Sequence, residues 1–464
     1  MTPVSDASGM GGVPRVGPGE PAAADVAERL AALVRIPTVT PPPGPHPPEV
    51  AATFGAQRAA LDILYPRVMA HEPEQVGRAG LLLRIPGASA ERPVVLMAHQ
   101  DVVPVPEDWA GEGWEHEPFA GVIQDGWVFG RGTLDDKGAL VVMMDALESL
   151  LTEGWAPPQD VWVLMGADEE SYGDCAVQAA ALLAERGVEP WMILDEGGAV
   201  TLGAIAGLEG EAAVIGVSEK GIASVTLTVD ALGGHASTPP RESAPGILAR
   251  ALRRIETHPH PASVNDVTIE MLEAAGPRIT GAMGAVLRRA RALRPVLARA
   301  MPRLSPEMAA MVRTTTAITQ LSGSVGHNVL ATRATAMLNI RVAAGSSVDE
   351  AVEHIRRVVG DPRVGFALVE ASEPSPVSPR GDDPRWALLN EAIASSYPEA
   401  LTVPYVMLAA SDARHLAHLG PAYRFAPLRM DSQQRAAVHG PNEKVEVASL
   451  GQGVVFYRAL LQGL

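Results

Sequence analysis

The sequence predicts an α/β fold: a large domain on a mixed, largely parallel sheet with helices on both faces, carrying an inserted α+β domain with a ferredoxin-like sheet. Three observations predict it. The chain has 464 residues, too many for one ordinary core. Over the first half, short apolar runs alternate with longer helix-period patterns, the rhythm of β–α–β units around a parallel sheet. Near residue 217 this texture gives way to strands that alternate apolar and polar residues, as a sheet with one solvated face does.

Taken in order, residues 1–22 are rich in Gly, Pro and Ala and are expected to be a flexible tail. Residues 24–34 carry the apolar period of a first helix, and the Pro-dense stretch 38–48 predicts an extended loop. Residues 94–98, 161–165 and 191–194 read as buried strands. Between the first two, Leu140, Met143, Met144, Leu147, Leu150 and Leu151 fall on one helical face. The second unit reads as strand 224–229, helix 244–255, strands 314–321 and 335–342, amphipathic helix 348–359 and strand 364–369. That β-α-β-β-α-β order predicts the ferredoxin-like sheet. A Pro- and Ser-rich stretch, 372–384, returns the chain to the first unit. The expected division is therefore 23–216 with 374–464 as the large domain and 217–373 as the insertion.

From about 273 to 313 the chain carries Arg278, Arg288, Arg289, Arg291, Arg294, Arg299, Arg303 and Arg313. One reading is a basic helical hairpin for a membrane surface or a partner. The other is a solvated helical insertion whose apolar side packs on the small domain. The acidity of the rest favours the second.

The net charge is −17, from 37 Lys+Arg against 54 Asp+Glu, which argues against a nucleic-acid partner. The single cysteine, Cys175, excludes an intramolecular disulfide. The N-terminus lacks the basic and apolar regions of a signal peptide, and no apolar run is long enough to span a membrane. A cytoplasmic protein is expected.

Five polar clusters carry the chemistry. His99-Gln100-Asp101 follows the first buried strand, where residues of parallel sheets face the ligand crevice. His99 could bind a metal through one ring nitrogen while Asp101 receives the other, although an isolated His-x-Asp is more often structural. Gly130-Arg131-Gly132-Thr133-Leu134-Asp135-Asp136-Lys137-Gly138 ends where a helix begins; a carboxylate here is either a cation ligand or a helix cap. Asp168-Glu169-Glu170 follows another strand, as a solvated acidic loop or as one metal-binding Glu beside one free general base. Asp195-Glu196 follows the next strand, and His439 lies in a late Val438-His439-Gly440-Pro441-Asn442-Glu443 segment. Together these give mixed nitrogen and oxygen ligands, which suit Zn²⁺, with Co²⁺ or Mn²⁺ as alternatives. Five such groups exceed the three protein ligands of one catalytic zinc and fit two metals about 3.5–4 Å apart that share a carboxylate.

These clusters resemble the M20 metallopeptidases, closest to the carboxypeptidase S and N-fatty-acyl-amino-acid synthase/hydrolase branch. The resemblance rests on AHQDVVPV (98–105), GRGTLDDKG (130–138), DEE (168–170), LDEGG (194–198), GGHASTPP (233–240) and VRTTTAITQ (312–320), and covers nearly all of the chain from about residue 24. It implies two metals: His99 with Asp195 on one, Glu170 with His439 on the other, and Asp135 between them. It implies that Asp101 orients His99 and that Glu169 moves the proton. His235 would stabilise the oxyanion, often from another subunit, and Asn328 and Arg341 would hold a substrate carboxylate or oxyanion. Ser411 matches a substrate-binding loop that here, as Leu408-Ala409-Ala410-Ser411-Asp412, lacks the family's glycines.

The resemblance further implies a small-molecule substrate, an N-acyl amino acid or short peptide with a free carboxylate, and a homodimer through the inserted lid/dimerisation domain. Dipeptidase or C-terminal exopeptidase activity is the alternative within the same chemistry. A non-catalytic metal-dependent binding protein is disfavoured because the whole acid and base set is present. A phosphate-ester hydrolase is disfavoured because a Gly-rich phosphate loop and a clustered basic pocket are absent from the sequence pattern.

Overall fold

The computed structural model describes every residue except 1–9, 11, 41–47, 172, 204 and 206. Among the described residues the large unit holds a ten-stranded mixed sheet. Its middle is parallel: Gln159–Gly166, Ser89–His99, Met192–Asp195 and Ala422–Arg424 lie side by side in that order. Antiparallel pairs flank it, with Gly80–Ile85 on one side and Glu211–Glu219 on the other. The middle strands read as unbroken apolar runs because helices cover both faces. On one face lie Lys137–Thr152, Val447–Gln462, Ala23–Val34 and Pro384–Ser396; on the other lie Asp174–Glu185 and Ala413–Leu416.

The expected single apolar face of Lys137–Thr152 is a correction. The helix is buried all round from Lys137 to Leu150, polar residues included. Its buried acids are matched: Arg29 Nε donates to Asp145 Oδ1 at 2.9 Å, and the amides of Arg67 and Val68 donate to Glu148. Unmatched, each would cost several kcal/mol or more.

The parallel registers set the site. His99 pairs with Gly166, Leu96 with Leu194, and Arg424 with Asp195. The last residues of three neighbouring strands, and the loops after them, therefore open on one edge of the sheet.

The second unit is an antiparallel sheet in the order Thr315–Ser322, Arg333–Val342, Gly221–Asp230, Gly365–Ser372. This is the ferredoxin-like arrangement, with Ala244–Thr257 and Val348–Val359 packed on one face. Gly221–Asp230 alternates buried and half-buried residues along most of its length, as its sequence pattern required.

The Arg-rich stretch folds as short helices, Gly281–Leu287, Arg294–Ala300 and Pro306–Met311, after the helix Asp266–Ala275. Its apolar side does not lie on the small domain, as expected, but on the large sheet. Ile269, Leu272, Ala275, Ile279 and Leu297 share one buried cluster with Val403, Ala212 and Ile205. The physical reason is the strand Leu401–Met407, which among the described residues pairs with Glu211–Glu219 alone and would otherwise leave an apolar strip at the sheet margin. Arg278 Nη1 donates to the Glu399 carbonyl at 2.8 Å and Arg380 Nη2 to Glu270 Oε1 at 2.8 Å, pinning the same contact.

Residues 1–9 and 11 of the expected tail lie outside the described residues. The remainder is docked: Met10 is buried, Val13 and Val16 pack on the main core, and Arg29 Nη1 donates to the Pro14 carbonyl at 2.8 Å. Of the Pro-dense loop, 41–47 lie outside the described residues, and Pro48 opens a helix, Pro48–Leu64, that the sequence pattern did not announce.

Candidate metal centre

Four of the five expected ligands meet directly. His99 Nε2 lies 3.0 Å from Asp135 Oδ1, and His439 Nε2 lies 3.0 Å from Asp135 Oδ2. His439 Nε2 is also 3.2 Å from Glu170 Oε1. Asp135 thus turns one oxygen to each imidazole. His99, Asp135 and Glu170 each offer a ligand atom within 4.8 Å of one another. The fifth, Asp195, is buried at the neighbouring strand end; its Oδ2 accepts from the Ala413 amide at 2.7 Å, and it shares electrostatics with His99.

Hydrogen bonds to the backbone fix these groups. Asp101 Oδ1 and Oδ2 accept from the amides of Glu169 and Glu170 at 3.3 and 3.1 Å, so Asp101 holds the acidic loop. Its orienting role toward His99 needs refinement: the imidazole Nδ1 is 3.0 Å from the Asp101 backbone carbonyl and 3.4 Å from its carboxylate. Glu443, fully buried, takes Arg131 Nη1 at 2.6 Å, the Leu134 amide at 2.8 Å and the Asp135 amide at 3.2 Å, which shapes the turn that presents Asp135. His439 sits at φ +62°, a left-handed conformation uncommon outside glycine and typical of functional positions.

The charge balance shows why cations belong here. Asp135, Asp136, Glu169, Glu170, Asp195, Glu196 and Asp412 act on one another electrostatically at the strand ends. Burial, together with Asp412, Asp135 and Glu170, pushes Glu169 well above the usual carboxylate range. Burial and neighbouring acids push Asp136, Glu196 and Asp412 the same way. Asp136 Oδ1 and Asp412 Oδ1 are buried with no partner among the described residues. Asp135 and Glu170 hold His439 up at about 10. Burial opposes a charged His99, but Asp101 and Asp135 outweigh it and raise the imidazole. So many carboxylates, with two imidazoles at hydrogen-bond distance from one of them, fit divalent cations.

The Glu169 carboxylate accepts no hydrogen bond among the described residues and stands outside the His99–Asp135–His439–Glu170 contacts.

The other expected residues are not gathered here. His235 is exposed on a two-residue ribbon, Gly234–His235 paired with Val329–Leu330, and its Nδ1 is 2.8 Å from Ser237 Oγ. Asn328, also exposed, shares that tip: its carbonyl accepts from the Ala236 amide. Arg341 is half-buried on Arg333–Val342, and its charge is opposed by burial and by Arg414. Ser411 is fully buried, and its amide and hydroxyl both address Glu219 Oε2, at 2.8 and 3.5 Å, beside the Glu219–Arg424 ion pair. Asp136, whose Oδ2 accepts from the His99 amide at 3.1 Å, and Asp412 went unassigned. The signal for both was adjacency to a named acid or loop residue.

The sequence profile of Peptidase family M20/M25/M40 matches residues 95–463. The chain is 35% identical over 445 residues to the N-fatty-acyl-amino acid synthase/hydrolase PM20D1 of Mus musculus, covering 94% of this chain and 87% of that protein. It is 31% identical over 376 residues to the probable carboxypeptidase S-like 2 of Dictyostelium discoideum, covering 80% and 71%. In structure it resembles the M20 family metallo-carboxypeptidase Sso-CP2 from Sulfolobus solfataricus, with a TM-score of 0.68 at 16% identity over 94% of this chain and 98% of that one. No helix among the described residues is long and apolar enough to cross a membrane. The chain therefore belongs to the M20/M25/M40 peptidase family, and is a hydrolase of amide or peptide bonds that uses a divalent metal.

Proposed function

We propose that the chain hydrolyses the amide bond of an N-acyl amino acid or short peptide with a free carboxylate, at a centre for two divalent cations. His99 and Asp195 would hold one, Glu170 and His439 the other, and Asp135 both. Zn²⁺ suits these donors, with Co²⁺ or Mn²⁺ as alternatives. When bound, the cations supply Lewis-acid polarisation of the scissile carbonyl and a water acidic enough to be deprotonated near neutrality.

The chain's residues do the rest. Glu169 accepts the proton of the attacking water and passes it to the leaving amine. Arg341 and Asn328 hold the substrate carboxylate, and His235 donates to the oxyanion. Asn328 and His235 reach the substrate by closure of the small domain or from a second copy of the chain; specific activity on dilution to monomer separates the two. The lone cysteine accords with a cytoplasmic setting.

One observation carries the reading: the half-buried Glu169 carboxylate accepts no hydrogen bond among the described residues, beside a set of acids and imidazoles in mutual contact. Glu169→Gln is expected to lower kcat by about 10²–10⁴-fold while the metal content, measured by atomic emission, stays unchanged. Full turnover in that variant would remove the base from the mechanism. The relatedness to an N-fatty-acyl-amino acid synthase/hydrolase favours long acyl groups over dipeptides; hydrolysis of long-chain N-acyl amino acids against dipeptides decides between them.

A further inference from the structure

Away from the acidic centre, the basic residues of the helical insertion also converge. A cleft of about 460 Å³ is lined by Ala262, Pro295, Ala298, Arg299, Arg303 and Arg313. We propose that these three arginines form a binding site for a phosphate-type oxyanion, on the surface of the insertion and separate from the metal centre.

The argument is one of uncompensated charge. Two arginines of the same insertion are neutralised: Arg294 pairs with Asp266, and Arg291 lies near Asp266 and Glu273. The three in the cleft are not. Arg299 Nη1 donates to its own helix, at the Pro295 carbonyl, 2.9 Å away, and Arg303 Nη1 donates to the Arg299 carbonyl. Arg313 Nε is buried without a partner among the described residues. Among the described residues no carboxylate comes within ion-pair distance of any of the three. Arg303 lies close enough for its charge to oppose that of Arg313. Holding three guanidinium groups together without a counter-charge, in a protein of net charge −17, is unfavourable unless an anion joins them.

The chemistry of the anion follows from the donors. Guanidinium forks match the oxygens of phosphate and carboxylate alike. A phosphate monoester brings about 1.5–2 negative charges and three acceptor oxygens, whereas a carboxylate brings one charge and two oxygens, so the three-arginine cleft favours phosphate. The ligand's source is either a free phosphate compound or a lipid headgroup. The insertion also exposes Met283, Val286, Val296 and Leu304, which a lipid surface would cover. Position adds interest. The Arg313 carbonyl accepts from Lys220 Nζ at 2.8 Å, and Lys220 is where the chain passes from the large sheet into the small domain.

The test uses the metal-loaded full chain. Titration calorimetry with inorganic phosphate should show saturable binding that weakens as salt is raised. Arg299→Ala and Arg303→Ala, both at exposed positions, should each weaken it about tenfold, and the pair more, with turnover retained. Retained turnover distinguishes loss here from loss of phosphate bound at the metals. Cosedimentation with phosphatidylcholine vesicles, with and without phosphatidic acid, identifies the source. Capture that needs phosphatidic acid and is reversed by free phosphate points to a headgroup; no capture alongside calorimetric binding points to a free anion. Absence of saturable binding, or unaltered affinity in the double variant, overturns the proposal.

Discussion

The carboxylates around His99 and the guanidinium groups around Arg313 are both gatherings of like charge, yet they are built in opposite ways. The acids stand at the ends of adjacent parallel strands, buried, with their loops tied by amides to Asp101 and Glu443. The arginines ride on helices of six or seven residues and their connections, and their side chains hold only local carbonyls or nothing. The first arrangement is a property of the fold. The second is a property of one insertion, with Arg299 and Arg303 at exposed positions.

The largest expected effect breaks that contrast at its base. Below the acidic centre Arg424 Nη2 lies 3.0 Å from Glu219 Oε1, both groups fully buried, and Ser411 and Ser375 complete the network. Arg424→Met leaves Glu219 buried and unpaired and should destabilise the protein by about 3–5 kcal/mol. Arg303→Ala, on the insertion, should stay within about 0.5 kcal/mol of the parent. Denaturant unfolding of the two variants side by side measures both, and equal losses would erase the distinction between the two regions.

A smaller effect sharpens it. Asp101 touches His99 and both amides of the Glu169–Glu170 pair, so Asp101→Asn should weaken metal binding or turnover by about 10–100-fold. Competition with a chelator of known affinity reports it. An unchanged metal affinity and unchanged kcat would mean that the backbone carbonyl of residue 101, at 3.0 Å, orients His99 without help.

The contrast also explains what was legible in the sequence. Parallel strands ending in His99, Asp195 and the 168–170 acids could be read because a buried strand is a local apolar run and its C-terminal end is adjacent in sequence. The insertion's helices were readable for the same reason, but its packing partner was not. Whether Ile269 and Leu272 meet the small domain or Val403, more than a hundred residues further on, is decided by an unfilled strip on a distant strand. Met10 in the core and Pro48–Leu64 were missed on similar grounds: Gly- and Pro-rich flanks look mobile until a surface receives them. That the Ser411 hydroxyl faces Glu219 was not legible, because motif similarity gives position along the chain and not the direction of a side chain.

The smallest effect probes the seam between the small domain and the insertion through acidity. His260 is buried there, its ring centroid 4.2 Å from that of His354, with Nε2 3.4 Å from Thr316 Oγ1 and with Lys220 and Arg313 also facing it. Burial first, then His354, Lys220 and Arg313, hold this imidazole down at about 4, against 6.5 in an unfolded chain. The folded protein therefore keeps His260 neutral where the unfolded chain takes up a proton. This costs nothing above pH 6.5 and lowers stability progressively as pH falls toward 4. His260→Gln should flatten that part of the acid limb and leave the neutral-pH melting temperature nearly unchanged. Each kcal/mol moves Tm by about 2–4 °C in a unit of this size, so the difference between variant and parent at pH 4.5 falls within reach of calorimetry. If both lose stability in parallel between pH 6.5 and 4, the acid sensitivity lies with the carboxylates of the metal centre instead. The seam would then be as indifferent to protons as the exposed arginines beside it.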